Sequence, residues 1–164
     1  MIYKILLSGD GGQGIQTMSH LICTAAFNND LEVSHIPNYG LEQRGGVSLA
    51  YIKISDEKIV YPKFSKPDLL LVMSMQARNR TDGYKLDCVE VIDADSFEET
   101  LKEKGVSRSS WNIFFLGVVA KKLEEESLVK KEQVFELLKN KLNRKPNWEE
   151  NQMAFDLGYK HTNI

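Results

Sequence analysis

The sequence predicts an α/β fold, a Rossmann-like, mainly parallel sheet with an inserted β-hairpin and a helical C-terminal part. Three observations predict it. The chain opens with an apolar run, a glycine-rich break and a set of apolar residues at helical spacing, the order of a strand–turn–helix unit. Two later apolar runs, 69–73 and 89–92, have the length of buried strands. From residue 112 onward the apolar positions recur at helical spacing.

Residues 2–8 place one lysine among apolar neighbours and read as a buried strand, broken by Gly9-Asp10-Gly11-Gly12-Gln13-Gly14. Ile15, Met18, Ile22 and Ala25/Ala26 predict a helix ending near Asn28 and Asn29. Residues 32–36 return to strand character, and Pro37 is expected to stop them. Strand, glycine turn, helix and strand form the first unit of a parallel α/β sheet. Val47, Leu49, Tyr51, Lys53 and Ser55 alternate with Ser48, Ala50, Ile52 and Ile54. With 58–61 after the Ser55-Asp56-Glu57 turn, they predict the inserted antiparallel hairpin. Residues 69–73, entered through Pro67-Asp68, and 89–92, ending at Asp93, are further strands. Residues 96–104 read as a polar helix closed by Gly105. The stretch 113–123 is apolar almost all round, so a helix buried on most sides is expected there. Residues 130–142 carry Val134, Leu137, Leu138 and Leu142 on one face, and Asn151, Ala154, Phe155, Gly158 and Tyr159 form a last helical stripe. No repeat, linker or low-complexity tract divides 1–164, which reads as a single domain.

A chain of 164 residues can bury roughly two thirds of the surface it exposes when unfolded. With 42% hydrophobic and 27% charged residues it has a globular composition. A net charge of -2 gives no reason to expect nucleic acid, whose binders carry a basic face. No stretch approaches the roughly 20 apolar residues that span a bilayer, so no membrane is expected. The first residues lack the apolar run and small-residue cleavage site of a signal peptide, which makes the cytoplasm the expected location. The initial methionine reads as the start of a whole subunit. The two cysteines, Cys23 and Cys88, lie in apolar contexts and form no C-x-x-C pair. Four thiolates are the usual set for an iron–sulfur cluster, so none is expected in this chain. Both cysteines are expected to be small buried residues. His20 and His35 lack a second ligand at metal spacing; His161, near the terminus, is expected to be solvated.

Gly9-x-Gly11-x-x-Gly14 has the spacing of a dinucleotide fingerprint and stands between strand and helix. Glycines let backbone approach a ligand, and a helix N-terminus presents unpaired N–H groups to an anion. The same residues would also serve as a tight turn packing strand on helix, and the motif alone leaves both readings open. A nicotinamide dinucleotide is disfavoured, because no acidic residue ends the second strand to hold the ribose. Gly9-Asp10-Gly11 with Asn28-Asn29 resembles a thiamine diphosphate signature in letters only. A helix of about 14 residues is about 21 Å long, too far for one magnesium ion to reach both ends. Asp10 is expected to be a loop residue.

Taken together, the motifs resemble one family over nearly the whole chain, the gamma subunit or gamma domain of the 2-oxoacid:ferredoxin oxidoreductases, of pyruvate, 2-oxoglutarate, 2-ketoisovalerate or indolepyruvate type. Gly9-Asp10-Gly11-Gly12-Gln13-Gly14 resembles its G-x-G-G-Q-G loop. Tyr39-Gly40-Leu41-Glu42-Gln43-Arg44-Gly45-Gly46-Val47-Ser48 is similar to its Y/H-G-x-x-x-R-G-G-x-S segment. Lys66-Pro67-Asp68, Asn112 with Leu116-Gly117, and Asn151, Ala154, Phe155 and Gly158 resemble its later blocks. The glycine loop is a weak signal, whereas the loop followed by an R-G-G block is specific.

The resemblance implies oxidative decarboxylation of a 2-oxoacid with coenzyme A to acyl-CoA and CO2, with electrons passing to ferredoxin. It implies an oxidoreductase subunit inactive by itself, with coenzyme A as a substrate. Thiamine diphosphate, magnesium and iron–sulfur clusters would lie in partner subunits. Those partners would be alpha, beta and ferredoxin-like delta subunits, with self-association into homo-oligomers when the chain is isolated. Gly11, Gly12 and Gly14 would face an anion or a partner's backbone, with Gln13 as an amide hydrogen-bonder. Arg44 would grip a phosphate or carboxylate, or else pair with Glu42 or another acid at a subunit contact. Gly45 and Gly46 would allow close approach. The competing readings are a free-standing nucleotide- or coenzyme A-binding protein and a structural adaptor.

Overall fold

The computed structural model describes residues 1–39 and 45–161. β1 (Ile2–Asp10) lies at the centre of a five-stranded sheet because it is apolar on both sides: Ile5, Leu6 and Leu7 are all fully buried. The other strands are β2 (Glu32–Tyr39), β3 (Val47–Ser55), β4 (Leu69–Val72) and β5 (Glu90–Asp93), in the order β2-β3-β1-β4-β5. β1, β4 and β5 pair in parallel, with Leu7 opposite Leu71 and Leu71 opposite Ile92. β3 is antiparallel to both β1 and β2. The sheet is therefore mixed in pairing, with β3 alone running against the other four.

The inserted hairpin is β2–β3, not β3 with 58–61 as the alternation predicts. Residues 58–61 form no strand, and the Tyr61 carbonyl accepts a hydrogen bond from Lys53 Nζ of β3. Nor does Pro37 stop β2, which runs on through it to Tyr39. β2 is the outer strand, and an outward-facing backbone position needs no N–H donor for the ladder.

The helices are α1 (Ile15–Phe27), α2 (Met75–Arg80), α3 (Glu98–Glu103), α4 (Trp111–Glu125), α5 (Lys131–Leu142) and α6 (Trp148–Lys160). The six-residue α2 carries too few positions to show a period. What marks it is Ser74, whose hydroxyl accepts the Ala77 N–H at 3.1 Å as an N-cap. The main core joins Ile5, Leu7, Ile52 and Ile54 of the sheet to Met18 and Ile22 of α1, Phe115 and Val119 of α4, and Phe155 of α6. On the other face, among the described residues, Leu6, Leu49, Leu70 and Val72 pack with Ala77 of α2, Val47 and Tyr51 of β3, Tyr84 of a short 3-10 turn and coil residues such as Phe64.

His161 is not simply solvated. Its ring stacks 5.0 Å from Phe97 and 6.2 Å from Phe114, and its carbonyl accepts Lys121 Nζ at 3.0 Å. Cys88 is exposed rather than buried, on a left-handed turn (φ 68°) whose apolar neighbour Leu86 is exposed as well. Cys23 packs against the core, and burial pushes its thiol up to about 12. Among the described residues no helix is long and apolar enough to cross a membrane.

Candidate functional site

The glycine loop lies where β1 meets α1, beyond the carboxyl ends of β1 and β4. Here the sheet changes from antiparallel neighbours on one side to parallel neighbours on the other, and ligands of open α/β sheets settle in such crevices. Three of the loop glycines have their own reason to be small. A side chain on Gly9 would stand 2.8 Å from Gln13 Oε1. Gly11 donates its N–H to the Gly46 carbonyl at 2.8 Å, and a Cβ there would meet that oxygen at an ordinary 3.5 Å. Gly12 and Gly14 have φ of 93° and 77°, the left-handed region open to glycine. Gly14 is also pressed against the side-chain amide of Asn112, so even a methyl group there would clash.

The Gly11–Gly46 bond joins the two glycine segments that stand some thirty residues apart in sequence. Gly11, Gly12 and Gly45 are exposed, and Gln13, Gly14 and Gly46 half-buried, so the pair forms an edge open to the outside. Arg44, the guanidinium expected beside it, lies outside the described residues, as do Gly40 to Gln43.

A cleft of about 340 Å³ opens beside this edge, lined by Gly12, Gln13, Gly14, Met73, Arg108 and Trp111, with Ser109 and Asn112 completing the wall. Its electrostatics come from two sources. α1 begins at Gly14 with no side-chain cap and no acidic residue in its first turn, so the N–H groups of Ile15, Gln16 and Thr17 have no intrahelical acceptor, and this positive helix end faces the cavity. The start of α4 adds no such end, because the Ser110 and Trp111 N–H groups donate to the Ser107 and Arg108 carbonyls and the Ser107 N–H to the Glu150 carboxylate. Arg108 adds a full charge: its guanidinium sits 4.9 Å from the Trp111 ring centre and donates to Glu98 at 3.1 Å, with its side chain 76% exposed. Such a cleft suits an anion carrying a flat or apolar portion.

Gln13 is placed differently from the expected ligand contact. Its Oε1 accepts the Asp10 N–H at 2.7 Å and its Nε2 donates to the Met73 carbonyl at 3.2 Å. The Asp10 carboxylate accepts the Ser74 hydroxyl at 2.7 Å. Asn29, at the far end of α1, donates to the Leu128 carbonyl at 2.8 Å. Asp10 and Asn29 thus serve separate internal contacts at opposite ends of α1. Sequence reasoning missed Arg108 and Trp111. Arg108 has no motif around it and comes to the loop only because the segment before α4 folds across the strand ends.

Residues 4–161 match the family model described as pyruvate ferredoxin/flavodoxin oxidoreductase. The chain belongs to this family. Among family relatives, the 2-oxoglutarate synthase subunit KorC of Methanocaldococcus jannaschii is 40% identical over 94 residues, 56% of this chain and 50% of that subunit. The pyruvate/ketoisovalerate oxidoreductases common subunit gamma of Thermococcus kodakarensis is 28% identical over 105 residues, 62% of this chain and 57% of the relative. The chain spans about half the length of the KorC relative it matches. In fold, it superposes on a keto/oxoacid ferredoxin oxidoreductase gamma subunit from Geobacter sulfurreducens. The TM-score is 0.73 at 22% identity, covering 98% of this chain and 95% of the other. The 2-oxoglutarate:ferredoxin oxidoreductase from Magnetococcus marinus, solved with 2-oxoglutarate, coenzyme A and succinyl-CoA bound, aligns with a TM-score of 0.75 at 22% identity. That match takes in 96% of this chain but 30% of the longer one.

Proposed function

We propose that this family member works as the gamma subunit of a 2-oxoacid:ferredoxin oxidoreductase, and that its own part is to hold the anionic portion of coenzyme A. The complex would convert a 2-oxoacid and coenzyme A to acyl-CoA and CO2, its two electrons leaving to ferredoxin. Alpha, beta and ferredoxin-like delta subunits would carry thiamine diphosphate with magnesium and the iron–sulfur clusters, and the KorC relatives make 2-oxoglutarate the first acid to assay. The observation that carries the reading is the Gly11–Gly46 bond, which brings both glycine segments to one open edge beside a cleft faced by the α1 N-terminus and Arg108. A phosphate chain fits that chemistry, since backbone N–H groups and a guanidinium both donate to phosphate oxygens.

The test is kinetic, in the assembled complex. Arg108→Ala and Arg44→Ala should each raise the KM for coenzyme A about tenfold, the effect of losing one charge-assisted hydrogen bond, and leave the KM for the 2-oxoacid alone. An unchanged coenzyme A KM in both variants, with assembly intact, rejects the phosphate role.

A further inference from the structure

The glycine loop is held in shape by a side chain folded beneath it. Gln13 turns back under its own loop, where Oε1 takes the Asp10 N–H at 2.7 Å and Nε2 reaches the Met73 carbonyl at 3.2 Å, just past the end of β4. The Asp10 carboxylate accepts the Ser74 hydroxyl at 2.7 Å, and the same hydroxyl caps α2 through the Ala77 N–H. Both ends of the Gln13 amide are engaged inside the chain, and the loop is tied at two points to the β4–α2 junction. The first glycine of the motif makes this possible, since a Cβ on Gly9 would stand 2.8 Å from Gln13 Oε1 and 2.9 Å from Ile15 Cδ1.

We infer that Gln13 is a positioning residue of the coenzyme A cleft and that Gly9 is glycine to admit it. Three of the loop's residues turn through conformations or contacts that only glycine allows, so the loop carries little stiffness of its own. Without a brace it would have to be ordered by the ligand, at a cost in affinity. With the brace, the N–H groups of Gly12, Gly14 and the first turn of α1 are aimed into the cleft before anything binds. Two hydrogen bonds to fixed backbone, one of them at the last residue of the central strand, set that aim. The inference rests on the coenzyme A reading above, and its test separates the two.

Gln13→Ala, Gly9→Ala and the double variant are compared in the assembled complex, beside Gln13→Met, which keeps the volume and loses both bonds. Each should raise the KM for coenzyme A about tenfold with kcat within about twofold, because the loss is of pre-organisation before binding. The double variant should be no worse than either single, since both remove one brace. Amide hydrogen exchange across residues 10–17 should speed up about tenfold in all of them. Wild-type exchange and KM in Gln13→Met would overturn the inference by reducing the effect to packing, and so would full additivity in the double variant. Ser109→Asp sets a carboxylate on the exposed cleft wall and should repel the anion. If it raises the coenzyme A KM while Gln13→Ala changes neither exchange nor KM, the brace falls and the functional reading stands. If exchange rises in the brace variants but no variant, Ser109→Asp included, alters the coenzyme A KM, the brace stands and coenzyme A is not the loop's ligand.

Discussion

His35 shows how a single side chain sets a pH limit on this fold. Its Nε2 lies 3.1 Å from the Ser19 hydroxyl, between β2 and α1. Burial, and then the nearby charge of His20, holds its pKa below the ordinary 6.5. The native chain therefore prefers the neutral ring, and the unfolded chain takes up the proton first. This contribution to stability is complete above about 6.5 and is lost as pH falls from there through the native value. His35→Gln keeps a hydrogen-bonding group near Ser19 and removes the titration. Its melting temperature should fall less between pH 7 and pH 5 than that of the parent, and equal slopes would assign the acid sensitivity elsewhere. Arg78 works at the same scale: it donates to Asp93 at 2.6 and 2.7 Å and to Asp95 at 2.7 Å, and the guanidinium holds the Asp93 carboxyl below the usual range. That clamp ties α2 to the end of β5, on the face where the sheet has least cover.

Among the elements, the α4–α6 pair is the tightest. Gly117 of α4 and Gly158 of α6 each face the other helix's backbone, the first against the Phe155 carbonyl and the second against that of Phe114. A methyl group at either position would overlap an oxygen that belongs to a helix and cannot swing aside. The crossing is locked further by the buried Ser110 hydroxyl, which donates to Asn151 at 2.8 Å, and by the Tyr159 hydroxyl, which donates to the Glu124 carboxylate. Gly117→Ala and Gly158→Ala should each destabilise the chain by about 3 kcal/mol, the upper range for overpacking. Urea unfolding with an unchanged m-value would measure it, and a loss below about 1 kcal/mol would mean that the helices can part cheaply. Because α4 also walls the cleft through Trp111 and Asn112, the crossing sets where that wall stands.

For the whole molecule, the unequal cover of the sheet matters most. Among the described residues, one face carries α1 and the C-terminal helices, the other α2, a 3-10 turn and coil. Along that coil Val60 is 84% and Tyr61 73% exposed. A sheet with parallel strands is ordinarily covered on both faces, and exposed apolar segments mark places where another surface sits. The chain purified by itself is expected to associate as its concentration rises, and Val60→Lys with Tyr61→Lys should reduce that association. Sedimentation is the measurement. A wild-type chain that stays monomeric throughout would count against the reading as a subunit.

Some of this was legible in the residues alone. The apolar runs at 69–73 and 89–92 and the stripes from residue 112 onward determined strands and helices directly, because burial on one or both sides leaves a local period in the sequence. The glycine loop announced a site for a similar reason, since a left-handed backbone at Gly12 and Gly14 and the close contact at Gly9 leave little choice but glycine. What the tertiary structure decided was pairing and placement. Alternation shows that β3 is a strand but not which neighbour it bonds, so its partners β1 and β2 emerged only from the sheet. Whether Gln13 faces outward or folds beneath its loop depends on the room left at Gly9 and on the Met73 carbonyl sixty residues away. Arg108 reaches the cleft by the same kind of distant meeting. A sequence records what each residue needs around it, and the three-dimensional packing determines which distant residue supplies it.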